Sequence, residues 1–240
     1  MAGSDRLRRG DVGYAALWTR DVKRAEEFYG RALEWEIMPG TSPQSRLVKG
    51  LSPKHGLWGG HERPTLFLAF EVDDVAAVAE KVRAAGGKAE DPKEEHYGTV
   101  SLCEDDQGLP FAVYHDTTGA EPAVTPKTGD LAYITMETPD SKRARAFFGA
   151  TLGWEFRPGR SEDGWGVTVG GADLRPMTGL RGGRKAACVV PLYVVADVEA
   201  AVAKVREAGG TSTDPEHHSY GDSADCSDDQ GLRFFLARLG

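Results

Sequence analysis

Two carboxylates at the ends of apolar runs are the side chains in this sequence best placed to do chemistry. Glu71 follows TLFLAF and Glu137 follows LAYITM. A carboxylate on an inward strand position is costly to bury unless it is paired or protonated. Held there with a raised pKa it serves as general acid or base, or it anchors a cationic group on a ligand. At a sheet edge it would simply be solvated. The two strands put Glu71 and Glu137 forward as catalytic candidates in the absence of any other chemical signature. There is no GxSxG, no GxxxxGK[ST] and no GxGxxG at a strand-to-helix turn, so hydrolase-elbow, P-loop and dinucleotide readings have no anchor.

Strand alternation supplies neighbours for both carboxylates. One set of inward positions is Tyr14, Trp18, Phe67, Glu71 and Tyr114, and the other is Tyr133, Glu137, Leu192, Arg233 and Phe235. Aromatic walls with a few polar groups suit a small molecule, and planar rings would stack on them. The same side chains could instead fill a cavity that no ligand enters. Arg233 would pair with a ligand carboxylate or with a rim acid. His96, in EEHYG, is either a hydrogen-bonding group at the pocket rim or an exposed loop residue. His217 and His218 lie at the equivalent place in HHSYG, but adjacent side chains diverge on an extended backbone and make a poor metal site. His55 and His61 flank GLWGG without ligand spacing.

The elements that position these residues are read from an internal duplication. DVKRAEEFYGRALEW from Asp21 returns as DSKRARAFFGATLGW from Asp140, an offset of 140 − 21 = 119. DVAAVAEKVRAAGG from Asp74 returns as DVEAAVAKVREAGG from Asp197, and DDQGL from Asp105 returns at Asp228, both at an offset of 123. Two copies of one domain follow, each with two helices. Asp21 is expected to cap the first helix, in which Ala25, Phe28, Tyr29 and Leu33 form an apolar stripe. Strands are expected from about Val12, over Thr65 to Val72, over Thr99 to Cys103 and over Pro110 to Tyr114, with the DDQG turn joining the last two. Each half is thus two β-α units with further strands. The class is α+β, with paired βαβββ modules, a curved half-barrel sheet and helices outside. Residues 1–10 are expected to fray, 11–116 to form the first domain, 117–128 a linker rich in Pro, Gly and Thr, and 129–240 the second domain.

Composition narrows the partners. At 240 residues and a formal net charge of -8 the chain lacks the clustered basic charge that nucleic-acid binding needs. The sequence has no run of about 18 apolar residues that could cross a membrane, and MAGSDRLRRG has no secretory core, so a cytoplasmic protein is expected. The 3 cysteines, Cys103, Cys188 and Cys226, have no CxxC spacing and read as reduced thiols, with Cys103 and Cys226 in core strands.

An apolar strand, then Asp, then FY or FF seven residues on, then LxW, and later DVxAAV, GG, YG and DDQG, twice over, resembles a tandem member of the vicinal oxygen chelate superfamily, the glyoxalase, bleomycin-resistance and extradiol dioxygenase group. The likeness spans about residues 11 to 116 and 130 to 239. It implies the half-barrel fold and, in metal-using members, three ligands of the His, Glu or Gln type. The corresponding positions here are Tyr14, Phe67 and Ala112, then Tyr133, Val190 and Phe235. These offer no facial triad, so the expectation is no metal and no cofactor. The resemblance then implies a protein that sequesters or carries an aromatic or bulky metabolite or antibiotic, then a metal-free cyclase, isomerase or lyase using Glu71 or Glu137, and after these a metal-dependent dioxygenase or lyase. An interaction module with vestigial pockets is the remaining class. The fused pair is expected to be a monomer or a homodimer.

Overall fold

The computed structural model describes residues 6–119 and 125–240. Residues 1–5 of the N-terminal segment and 120–124 of the linker lie outside the described residues. In the first copy β1 (Val12–Trp18) leads to α1 (Val22–Ala32), β2 (Ile37–Pro39), β3 (Ser45–Val48) and β4 (Lys54–Trp58). Next come β5 (Thr65–Glu71), α2 (Val75–Ala84), β6 (Lys88–Ala89), β7 (Lys93–Glu95), β8 (Gly98–Glu104) and β9 (Pro110–Asp116). The second copy runs β10 (Leu131–Glu137), α3 (Ser141–Leu152), β11 (Glu155–Pro158), β12 (Gly164–Val169), β13 (Ala172–Asp173) and β14 (Met177–Arg181). It closes with β15 (Cys188–Val194), α4 (Val198–Glu207), β16 (Thr211–Ser212), β17 (Glu216–His218), β18 (Gly221–Ser227) and β19 (Arg233–Leu239).

The strands form two open curved sheets of α+β class, one per copy, in the orders β2-β3-β4-β1-β5-β9-β8-β6 and β11-β12-β14-β10-β15-β19-β18-β16. In both, the first strand of the second module runs parallel to the last, with Ala69 opposite Ala112 and Leu192 opposite Phe235. No helix among the described residues is long and apolar enough to cross a membrane.

Each helix starts where an aspartate accepts from the free amides of its first turn, as at Asp21 (from Lys23 and Arg24) and Asp140 (from Arg143). Helix α3 stops at Gly153, whose φ of 72° suits glycine, whereas the equivalent Glu34 adopts φ 55° with a side chain.

The chain divides into two compact units that do not follow the two copies. One holds the described residues of Met1–Tyr14, Phe67–Val124 and Thr135–Val189, and the other Ala15–Leu66, Thr125–Ile134 and Val190–Gly240. Each unit therefore pairs a second module from one copy with a first module from the other. In the first unit α2 packs on α3 and an aromatic core forms from Phe70, Phe111, Phe148 and Trp154, with Trp154 stacked 4.8 Å from Phe148 and edge-on at 5.1 Å to Phe70. Buried rings of this size contribute about 2 kcal/mol each on transfer grounds. In the second unit α1 packs on α4, and Phe28, Tyr29, Trp35, His55, Tyr193 and Phe234 fill the same role.

The repeated motifs explain this pairing. Within the first unit the Gln107 side chain of the DDQG turn accepts from Asp140 N–H at 2.9 Å and donates to Asp140 C=O at 3.0 Å, while Arg143 pairs with Asp106. Within the second unit Gln230 does the same for Asp21 at 2.8 and 2.9 Å, and Arg24 pairs with Asp229. The second glycine of each GG has a packing role besides ending a helix. A Cβ on Gly87 would lie 2.8 Å from Phe147, and one on Gly210 would lie 2.9 Å from Phe28.

The described part of the N-terminal segment is tied down rather than frayed. Arg8 pairs with buried Asp11 at 2.9 Å and donates to the Asp173 carbonyl, and Gly10 N–H donates to the Glu71 carbonyl. Cys103 and Cys226 are buried as expected, and burial pushes their thiols up to about 11 and about 12, which leaves them unreactive near neutral pH.

Candidate functional site

Glu71 is buried, at 7% exposure, and both its carboxylate oxygens are engaged. Oε1 lies 2.9 Å from His115 Nδ1, and Oε2 accepts from Asp116 N–H at 2.9 Å. The solvated sheet-edge alternative is thus removed for this residue. Alternation along β5 turns Phe70 toward the helices, and so puts Phe67, Ala69 and Glu71 on the other face. The same reasoning from Phe111 places Ala112 and Tyr114 there on β9, with Tyr114 directly beside Glu71 in the ladder. Burial raises the Glu71 pKa, while the Asp116 amide and His115 oppose that shift.

The Tyr114 phenol is buried in space left by a missing side chain. A Cβ on Gly13 would lie 1.5 Å from its hydroxyl. Burial pushes the Tyr114 pKa well up, with the Glu71 charge adding to it, so the phenol stays protonated. His115, on the same strand, was not among the residues singled out from sequence. Only its position after Tyr114 and across from the end of β5 carried a signal. Its side chain is 48% exposed, and the hydrogen bond to Glu71 raises its pKa.

Glu137 is also buried, at 4% exposure, and is neutralised by an ion pair with Arg184 at 2.8 Å. The half-buried Cys188 thiol lies 3.6 Å from its other oxygen. The ion pair offsets part of the cost of burying both charges.

In the second unit Trp18 stacks on His61, and burial lowers the His61 pKa, so the ring is neutral at pH 7. Tyr133 and Phe235 are half-buried, Leu192 is buried opposite Phe235, and Arg233 is exposed at the start of β19. Tyr14 is half-buried on β1, and Phe67 is buried. The structure thus brings Glu71 and Tyr114 together, and Leu192 and Phe235 together. His96 is exposed beside Tyr97, the rim or loop position rather than a wall. His217 turns to Asp222 and His218 stacks on Tyr220, so the two diverge as adjacent strand residues do. A further cleft of about 150 Å³ in this unit lies between the end of α1, β15 and α4, walled by Leu33, Tyr193, Val194 and Ala201 and crossed by the Glu34 to Lys204 ion pair.

The metal positions of the resemblance carry Tyr14, Phe67 and Ala112, and Tyr133, Val190 and Phe235. Among the described residues no three His, Cys, Asp or Glu side chains are grouped to hold a metal ion. One phenol among hydrocarbon side chains does not fit the family's metal.

Comparison with known proteins agrees with this architecture. Residues 11–113 match the model described as the glyoxalase/bleomycin resistance protein/dioxygenase superfamily, and residues 133–237 match the glyoxalase-like domain. The anthracycline biosynthesis protein DauV of Streptomyces sp. (strain C5) is 26% identical, covering 98% of this chain and 95% of the relative. The anthracycline biosynthesis protein DnrV of Streptomyces peucetius is 25% identical over the same shares. Among solved structures, the Mn(II)-bound glyoxalase from Novosphingobium aromaticivorans superposes with a TM-score of 0.73 at 17% identity, covering 97% of this chain and 82% of that one. The 2,2',3-trihydroxybiphenyl 1,2-dioxygenase from Sphingomonas wittichii strain RW1 gives 0.71 at 17%, covering 97% and 91%. These two likenesses establish the fold alone.

Proposed function

The chain belongs to the glyoxalase, bleomycin resistance protein and dioxygenase superfamily, and we propose that within it this protein binds a planar, polycyclic aromatic metabolite without a metal ion. The observation that carries the reading is the replacement of ligand-type side chains by Tyr14, Phe67, Tyr133 and Phe235 on sheets whose fold is kept. Aromatic and apolar walls bind fused rings through stacking and area burial, and coordinate a cation poorly. The two relatives named for anthracycline biosynthesis point to the same ligand class, a fused-ring polyketide.

Titration of the purified protein with 1,4-dihydroxyanthraquinone, followed by tryptophan quenching and native mass spectrometry, tests the proposal, with elemental analysis alongside. Saturable binding that weakens in Tyr14→Ala or Tyr133→Ala supports it. One equivalent of Mn, Fe, Ni or Zn per chain, or no saturable binding of the quinone, sinks it.

A further inference from the structure

We propose that each chain holds one uncharged fused-ring ligand, on the sheet face of the first copy that carries Trp18, Met38, Leu47, Trp58 and His61, and that the matching face of the second copy does not take it. The inference rests on the aromatic-ligand reading above and gives that ligand a place and a charge. Register puts the side chains on one face. On β3, Arg46 reaches back to Glu26 of α1, so Leu47 points away from the helix, and Met38 stands directly opposite it on β2. On β4, Leu57 is fully buried and His55 meets Trp35 in the core, so Trp58 lies on the Leu47 face. Thr19 N–H donates to the Trp58 carbonyl at 2.8 Å, the bond that Val72 makes to Tyr114 where Glu71 and Tyr114 are ladder partners. Trp58 is therefore the neighbour of Trp18, which is itself stacked on His61.

Leu47 and Trp58 are 44% and 37% exposed, while Met38, Trp18 and His61 are half-buried. Large apolar side chains gathered on one water-facing surface mark a place where a flat apolar molecule recovers buried area. None of the five carries a charge at pH 7, since burial holds the His61 imidazole neutral. A ring without a formal charge is the partner that such a surface accepts at least cost.

The duplicated copy serves as an internal control. Met38 opposite Leu47 becomes Arg157 opposite Gly166, and Ser45 opposite Trp58 becomes Gly164 opposite Arg181. Trp18 and His61 become Glu137 and Arg184. Arg157 lies over Gly166, where an added Cβ would fall 3.1 Å from its Nε, and it pairs with Asp173. Arg184 pairs with Glu137. A neutral ring laid here would strip water from these charges and return no hydrogen bonds. The second sheet forms with charged side chains and a glycine at these places, so folding does not require the apolar set of the first.

Isothermal titration calorimetry of the full chain at pH 7 with 1,4-dihydroxyanthraquinone tests the placement. One equivalent should bind, and Trp58→Arg or Leu47→Arg should each weaken it about tenfold, with Trp58→Phe close to wild type. Both positions are exposed and the second copy itself carries arginine at the Trp58 place, so the variants should fold, which thermal melts check. Arg181→Ala, at the matching exposed position, should leave the affinity unchanged. Anthraquinone-2,6-disulfonate, the same ring system with a charge at each end, should displace the bound quinone about tenfold less well. Two equivalents per chain, or one whose affinity neither Trp58→Arg nor Leu47→Arg moves, overturns the placement and leaves the binding function standing. Equal displacement by the disulfonate overturns the uncharged class. No saturable binding to the wild type removes the function itself, and the inference with it.

Discussion

The indole of Trp18 lies flat on the imidazole of His61, with ring centroids 3.9 Å apart and planes at 8°. The equivalent positions of the second copy, 18 + 119 and 61 + 123, hold Glu137 and Arg184 as an ion pair at 2.8 Å. One fold therefore carries an aromatic platform at this place in one copy and a charged clamp in the other. Stacking of this kind is worth about 1 kcal/mol beyond area burial. Trp18→Leu should keep the fold and weaken 1,4-dihydroxyanthraquinone binding about tenfold by fluorescence titration. Unchanged affinity would show that the ring lies elsewhere.

Arg184→Met should destabilise the protein by about 2 kcal/mol in urea unfolding, because it strands the buried Glu137 charge, the Arg184 side chain itself being a third exposed. Adding Glu137→Gln should recover most of the loss. If the double variant is no more stable than the single one, the pair is not what holds the cluster.

Gly13→Ala should cost about 2 kcal/mol, since its Cβ would fall 1.5 Å from the Tyr114 hydroxyl and 2.7 Å from Leu7. In a Tyr114→Ala background, the residue the second copy uses, the same substitution should be much better tolerated. Equal losses in both backgrounds would contradict the contact. Thermal melts of the four proteins make the cycle.

His55 is fully buried with Nε2 2.8 Å from the Tyr193 hydroxyl, and burial lowers its pKa from 6.5 to about 4, with the Pro53 carbonyl acting the other way. Between those values the unfolded chain binds the proton and the folded chain does not. Stability is therefore complete above pH 6.5 and falls as pH drops toward about 4. The integrated loss is about 3 kcal/mol. His55→Gln, which does not titrate, should flatten the slope of unfolding free energy against pH across this window. A slope that survives the substitution would place its origin in other groups.

Much of the fold was legible because duplication and capping are local signals. Asp21 and Asp140 mark helix starts by their own carboxylates, and the offsets of 119 and 123 count the copies without any structure. The polar pairings were not legible. Nothing adjacent in sequence says that Gln107 will bond Asp140, or that the GG after α2 makes room for Phe147 of the other copy.

By itself, then, the sequence determined the module and its doubling, since residue type and spacing are properties of one strand or helix at a time. Tertiary structure alone decided what each candidate became. Glu71 gained His115 from a strand more than 40 residues away, Glu137 gained Arg184, and His55 gained Tyr193. Whether a carboxylate or an imidazole holds a proton depends on burial and on partners brought in across the sheet, and those are set only when the chain closes on itself.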